Sequence, residues 1–277
     1  MKTRYAHPLL TVLASMAGLL QRGFTLATLF MAVCIYGNAQ TLTELYKPYT
    51  YQGMPYRLME PANCDSAKRY PVIVSLHGAG GRGEDNEKNL VKWAPQLTDP
   101  KVRSDYPAYV IFPQSKGMWN EQHLQNIKDI IKVLPSVDMS RIYIMGQSMG
   151  GYGTYKMIGW DPEYFAAAAP VSGSGQGSAS VIKDVPIWAF HGDADPRVPI
   201  KPDRNLFDEM KRIGGKMKFT SWPGEGHSTG GMFVPFVDNG ITQVSSERCD
   251  PEPVFMKWLF AQRKFVIPTV KPTQPRQ

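Results

Sequence analysis

A serine framed by glycines is the residue whose surroundings most directly allow chemistry. Residues 146–150 read GQSMG, the pattern Gly-Xaa-Ser-Xaa-Gly, with Ser148 at its centre. Flanking glycines permit the sharp turn that presents a nucleophilic serine between a strand and a helix. A polar turn could carry the same five letters, so the interpretation depends on partners elsewhere in the chain.

A serine hydroxyl is a weak nucleophile at neutral pH and needs a general base. His227 lies in a glycine-rich loop after the last predicted strand, and we expect it to be the base because such a loop can reach Ser148. Three other histidines follow residue 40. We expect His77 to support a turn, His123 to lie on a helix surface and His191 to be buried and hydrogen-bonded.

The base in turn needs a carboxylate that fixes its tautomer. The stretch HGDADPRVP, residues 191–199, offers Asp193 and Asp195. We favour Asp195, which precedes a proline in the loop that leaves the strand, and we expect Asp193 to serve the turn. Both aspartates follow Ser148 and precede His227 in the chain.

Acyl transfer also needs donors for a developing oxyanion. The backbone N–H of Met149, the residue after the serine, is one candidate. The other lies in the turn HGAGG after an early strand, where we favour Ala79 and keep Gly80 as the alternative. Trp119 and Trp222 could line a cleft for a sugar or an aryl group, or could equally be core residues.

Apolar runs bounded by turn residues alternate with helical periodicity along the chain, which predicts an α/β fold with a mostly parallel sheet covered on both faces. We expect a single domain over residues 41–277, with a Pro-rich tail from about 267. The predicted strands are 50–61 (a strand or hairpin), 70–78, 108–114, 141–146, 165–173, 186–192 and 216–224, and the predicted helices are 121–135, 149–159, 202–215 and 250–263.

The first forty residues differ from the rest, with three basic residues, no acidic residue and two short apolar runs. We interpret residues 1–40 as a signal peptide cleaved after Ala39 or Gln40, which predicts a secreted or periplasmic protein with no stable membrane insertion. An uncleaved N-terminal anchor is the alternative. The remaining chain has 28 basic and 24 acidic residues without a dense basic run, which argues against a nucleic-acid partner.

Cys64 and Cys249 are the cysteines beyond the leader, and whether they pair is open. Their spacing matches no zinc site.

The chain resembles the α/β-hydrolase superfamily over about residues 50–263, on the stretches YPVIVSLHGAGGRGEDN, FPQSKGMW, DMSRIYIMGQSMGGYGTYKM, FAAAAPVSG and PIWAFHGDADPRVP. Within it, the sequence is similar to secreted esterases grouped with polyhydroxybutyrate depolymerase-like, feruloyl-esterase-like and prolyl-oligopeptidase-like hydrolases. The resemblance implies a single α/β-hydrolase domain in which Ser148 is the nucleophile, Asp195 the acid and His227 the base. The GRGEDN segment is similar to a family signature, and we expect it to stabilise its loop.

This resemblance implies a secreted serine carboxylesterase that needs no metal or organic cofactor. Its expected substrates are small-molecule esters or polysaccharide-linked esters, such as acetyl or feruloyl esters of plant polysaccharides. A serine peptidase of the prolyl-oligopeptidase type and a non-catalytic binding protein are the alternatives. The serine at position 148 disfavours dienelactone hydrolase activity, because those relatives use a cysteine. Residues 228–250 make a longer connection than the related hydrolases have at this point. We expect this segment to be either a flap or a surface loop.

Overall fold

The computed structural model describes residues 41–229 and 240–264, and this part of the chain forms one nine-stranded sheet with helices on both faces. The strands are β1 (Lys47–Tyr51), β2 (Met54–Met59), β3 (Tyr70–Leu76), β4 (Tyr109–Pro113), β5 (Val137–Gln147), β6 (Ala167–Val171), β7 (Ile187–Gly192), β8 (Met217–Trp222) and β9 (Ile241–Val244). The helices are α1 (Leu42–Leu45), α2 (Ala94–Leu97), α3 (Pro100–Asp105), α4 (Glu121–Val133), α5 (Met149–Trp160), α6 (Ala179–Ile182), α7 (Lys201–Arg212) and α8 (Phe255–Ala261).

The strand order is β1-β2-β4-β3-β5-β6-β7-β8-β9. From β4 to β8 every neighbouring pair is parallel, whereas β1–β2, β2–β4 and β8–β9 are antiparallel. The first two strands form a hairpin whose turn residues, Gln52 and Gly53, both have positive φ, as a type I′ hairpin turn requires. Because the central strands are parallel, their carboxyl ends meet at one edge, where polar residues can converge.

The two faces of the sheet are covered by separate apolar clusters. On β5, Ile142 and Ile144 pack in one cluster with α4, α5 and α7, while Tyr143 and Met145 pack in the other with α2 and α8. Successive side chains of a strand point to opposite faces, so a continuously apolar strand needs cover on both. The predicted α/β class with a mostly parallel sheet is confirmed.

A charged cluster fastens the start of β5 to the end of the described chain. Asp138 accepts hydrogen bonds from Ser140 Oγ at 2.6 Å, Arg141 Nε at 2.7 Å and Arg263 at 3.1 Å. Burial opposes ionisation of Asp138, but the bonds from Ser140 and Arg141 outweigh it and lower the pKa of this carboxyl to about 2. The ionised carboxylate therefore stabilises this corner of the fold.

The sequence prediction needs one correction at the sheet edge. We expected β8 to be the last strand, but β9 follows it and pairs antiparallel, with Thr220 opposite Thr242. Part of the 228–250 segment is thus an edge strand, and residues 230–239 lie outside the described ranges. Cys64 and Cys249 are not joined in a disulfide.

Residues 1–40, where we predicted a signal peptide, also lie outside the described residues. Within the ranges that the structure does describe, no helix is long and apolar enough to cross a membrane.

Candidate active site

Ser148 occupies a strained turn between the end of β5 and the first residue of α5. Its backbone angles are φ 58° and ψ −118°, a region that non-glycine residues rarely adopt. The turn is close-packed, since a Cβ added to Gly146 would lie 2.4 Å from the Gly150 carbonyl oxygen, and one added to Gly150 would lie 2.1 Å from that of Leu76. The two glycines therefore allow the helix to begin directly beneath the serine.

His227 lies in the loop after β8 and reaches Ser148. Its Nε2 atom is 2.9 Å from Ser148 Oγ, and its side chain is 16% exposed, which leaves the pair accessible to a substrate. The residue before the serine helps to place this loop, because Gln147 Nε2 donates a hydrogen bond to the His227 carbonyl at 2.8 Å. Sequence reasoning missed this anchor, which no motif marks.

Asp195, in the loop after β7, completes the chain of hydrogen bonds. Its Oδ2 lies 2.7 Å from His227 Nδ1, and its Oδ1 accepts from the backbone N–H groups of Arg197 at 2.8 Å and Val198 at 3.0 Å. Burial favours the neutral acid, but the bonds from Val198, His227 and Arg197 outweigh it and lower the pKa of Asp195 below its usual value. The buried group is therefore an anion beside an imidazole.

The alternative aspartate lies elsewhere. Asp193 is exposed and accepts a hydrogen bond from the backbone of Gly224 at 2.7 Å, so it braces the turn as expected and does not contact His227.

The turn after β3 lies against the serine. A Cβ added to Gly78 would be 4.0 Å from Ser148 Oγ, which places the short 3-10 turn Ala79–Gly81, directly after Gly78, close to Ser148. His77 supports this turn, since its buried ring accepts from the backbone of Ser115 at 3.0 Å through Nε2 and donates to the Gly78 carbonyl at 2.7 Å through Nδ1.

Neither predicted cleft tryptophan lines the pocket at Ser148. Trp119 is 3% exposed and donates its indole N–H to the His77 carbonyl at 3.2 Å, while Trp222 is fully buried and stacks on Phe190. With so little exposed surface, both side chains pack as core residues in the described part of the chain.

A cavity of about 270 Å³ adjoins Ser148 instead. Its wall includes one cation, Arg197, and sequence reasoning did not single out this residue. The other lining residues are Met118, Met149, Tyr152, Ser172, Gly173, Ser174, Val198 and Pro199.

The GRGEDN segment stabilises its own loop, as expected. Asp85 accepts from Gln114 Nε2 at 2.8 Å, and Asn86 donates to the carbonyls of Tyr49 and Tyr56, each at 3.1 Å. His123 is half-buried rather than on the surface, because it caps the start of α4 and its ring packs edge-on against a tryptophan.

Comparisons with known proteins find similar esterases. A bifunctional acetylxylan esterase/xylanase of Neocallimastix patriciarum is 28% identical over 161 residues, which cover 54% of this chain and 22% of that protein. Feruloyl esterase B of Thermothelomyces thermophilus is 27% identical over 179 residues, which cover 58% of each chain. The crystal structure of a thermostable esterase has a TM-score of 0.65 and 31% identity, covering 80% of this chain and 64% of that one.

The chain thus spans less than two thirds of each of these proteins. The model of the dienelactone hydrolase family matches residues 57–230, which include the serine elbow, both aspartates of the β7 loop and His227. This match spans more than half of the chain, which therefore belongs to the dienelactone hydrolase family of α/β-hydrolases.

Proposed function

We propose that this hydrolase is a serine carboxylesterase in which Ser148, His227 and Asp195 form the catalytic triad. The observation that carries the proposal is the continuous hydrogen-bonded chain from Ser148 through His227 to Asp195, with contacts of 2.9 and 2.7 Å, built on a strained elbow. Esterases among the similar proteins support the reaction class.

In the acylation half of the proposed reaction, Ser148 Oγ attacks the ester carbonyl carbon while its proton passes to His227 Nε2. The backbone N–H groups of Met149 and Ala79 donate to the oxyanion, the first of them from the amino end of α5, where the helix dipole favours negative charge. His227 then gives the proton to the leaving alcohol, and the acyl group stays on Ser148.

Deacylation repeats these roles with water. His227 removes a proton from a water molecule, the hydroxide attacks the acyl carbon, and the proton returns to Ser148 Oγ as the carboxylic acid leaves. Throughout both halves, Asp195 holds the proton of His227 on Nδ1 and stabilises the imidazolium that forms.

For the substrate we propose acetyl or feruloyl esters linked to polysaccharides. The names of the two curated relatives support this class, as does a cavity beside Ser148 that combines apolar walls with one guanidinium. We further propose that residues 1–40 are a cleaved leader and that the mature enzyme acts outside the cytoplasm. N-terminal sequencing of the native protein tests that point, and an intact Met1 would contradict it.

The test of function compares three substrates with the wild type and Ser148→Ala. We expect p-nitrophenyl acetate and a feruloyl ester to be hydrolysed, an aminoacyl anilide to be left intact, and Ser148→Ala to lose at least about 10⁴-fold in kcat. Preferential cleavage of the anilide would favour the peptidase alternative. Full activity of Ser148→Ala, or no hydrolysis by the wild type, would refute the proposal.

A further inference from the structure

A second histidine, His191, contacts the carboxylate of Asp195. His191, the fifth residue of β7, is fully buried, and its Nε2 lies 3.3 Å from Asp195 Oδ2, the oxygen that also contacts His227. Its other ring nitrogen, Nδ1, contacts the carboxylate of Asp203 in the first turn of α7. The triad therefore continues inward as a line of alternating acidic and imidazole groups.

The hydrogen-bond partners of His191 indicate how many protons its ring carries. Nε2 also lies 2.9 Å from the Val198 carbonyl oxygen, so every polar partner of the ring is an oxygen that, when unprotonated, only accepts. A neutral imidazole has one donor and one acceptor nitrogen, which leaves one of these contacts without a proton. The contacts are satisfied when both ring nitrogens carry protons and Asp203 is ionised.

The electrostatic surroundings agree with a charged ring. Burial disfavours the imidazolium, but the hydrogen bond and negative charge of Asp203, the Val198 carbonyl and the charge of Asp195 raise the pKa of His191 above its usual value. Among residues 41–229 and 240–264, the other ionisable side chains beside this line are His227, which contacts Asp195, and Tyr155 of α5, which faces Asp203.

Asp203 also fastens the wall of the cavity beside Ser148. Its Oδ1 accepts a hydrogen bond from the backbone N–H of Gly175 at 2.5 Å, directly after the pocket-lining residues 172–174. The backbone of Gly175 packs closely against the first turn of α7, since a Cβ added to Gly175 would lie 2.2 Å from the Pro202 carbonyl oxygen. One buried carboxylate thus joins the loop of the catalytic acid, through His191, to the loop that shapes the cavity.

We propose that His191 and Asp203 are a positioning pair for the triad, in which the His191 imidazolium orients the Asp195 carboxylate and keeps it ionised. The inference rests on the proposed esterase function, since it assigns how that triad is held in place. Neither residue touches a substrate. The pair acts through Asp195, and the bond from Asp203 to Gly175 couples it to the cavity.

The principal test is Asp203→Asn, with Asp208→Asn as the matched control because Asp208 is an exposed carboxylate on the same helix. We expect Asp203→Asn to lower kcat for p-nitrophenyl acetate about 10- to 100-fold. Loss of a group that hydrogen-bonds to a metal-ligating residue has an effect of this size at metal sites. KM should change less than about threefold in this case. Asp208→Asn should leave both constants unchanged, and rates are normalised to the burst of nitrophenol so that only folded enzyme counts.

Two readouts separate positioning from support of the fold. In ¹⁵N NMR the wild-type His191 ring should be doubly protonated, and in Asp203→Asn it should be singly protonated. In His191→Asn, the acidic limb of the kcat/KM profile should move to higher pH, because Asp195 and Asp203 then face each other without the cation and the triad binds a proton more readily. This second variant also serves if Asp203→Asn fails to fold.

A wild-type His191 ring with a single proton would overturn the proposal. The proposal would also be overturned if the normalised kcat of both variants stayed within twofold of the wild type and their pH profiles did not shift. Failure of the esterase proposal is distinguishable, because it appears as wild-type protein without hydrolytic activity, whereas the protonation of His191 is measured without turnover.

Discussion

Replacing Asp195 by asparagine should trap His227 in the wrong tautomer, and the contacts of the carboxylate dictate why. Asp195 Oδ1 accepts from the two backbone N–H groups of Arg197 and Val198, at 2.8 and 3.0 Å. In Asp195→Asn the amide oxygen must keep that position, so the amide NH₂ faces His227 Nδ1. That nitrogen must then accept, which moves the imidazole proton to Nε2, opposite Ser148 Oγ.

The alternative orientation of the amide is too costly to rescue the enzyme. It would direct the NH₂ at both backbone donors, and the partly buried N–H of Val198, left without an acceptor, would cost about 1–3 kcal/mol. With its proton on Nε2, His227 donates to Ser148 and cannot remove the hydroxyl proton. The expected loss is about 10⁴-fold in kcat, equivalent to about 5.5 kcal/mol of transition-state stabilisation.

Steady-state hydrolysis of p-nitrophenyl acetate by Asp195→Asn measures this loss, with Asp193→Asn as the control. Asp193 is exposed, contacts Gly224 and lies outside the triad, so the control should remain within about twofold of the wild type. If Asp195→Asn kept more than a tenth of the wild-type kcat, the tautomer argument would be refuted. An equal loss in both variants would point to general disruption of the loop.

Two further predictions concern the stability of the fold. Gly150→Ala should abolish soluble, active enzyme because its methyl group would lie 2.1 Å from the Leu76 carbonyl oxygen. Gly159→Ala on the same helix meets no atom within 4 Å and serves as the control. Urea titration should show that Gly159→Ala raises the free energy of unfolding by about 0.5–1 kcal/mol. Ionised Asp138 should stabilise the fold above about pH 4, and this contribution of about 2 kcal/mol at most should be lost as the pH falls towards 2. Asp138→Asn should therefore flatten the acid limb of the stability curve, and an unchanged limb would contradict the assignment.

The sequence allowed the central strands and the elbow to be predicted because both depend on local signals. Largely apolar runs between turn residues marked β3 to β7, and the glycines around Ser148 marked the turn that the structure shows. The chain order of Ser148, Asp195 and His227 was also informative, since parallel strands deliver their following loops to one edge. The structure places His227 within hydrogen-bond distance of both Ser148 and Asp195.

Features set by tertiary contacts were not predictable in the same way. All four residues of β9, Ile241–Val244, are exposed, so the strand has no buried face whose periodicity could reveal it. Trp119 and Trp222 have side chains that could line a substrate cleft, but their burial is decided by neighbours distant in the chain. The anchor from Gln147 to the His227 backbone depends on a loop 80 residues further along.

The two buried histidines at strand ends show most clearly what sequence alone omits. SLHG and AFHG carry His77 and His191 in similar apolar settings, and both side chains are fully buried. His77 meets one donor and one acceptor, Ser115 N–H and the Gly78 carbonyl, and burial lowers its pKa to about 4, so its ring is neutral. Both ring nitrogens of His191 face acceptors, so this equally buried ring is a cation. Which of the two similar His-Gly pairs carries a charged ring is therefore decided by their hydrogen-bond partners, which only the folded chain brings together.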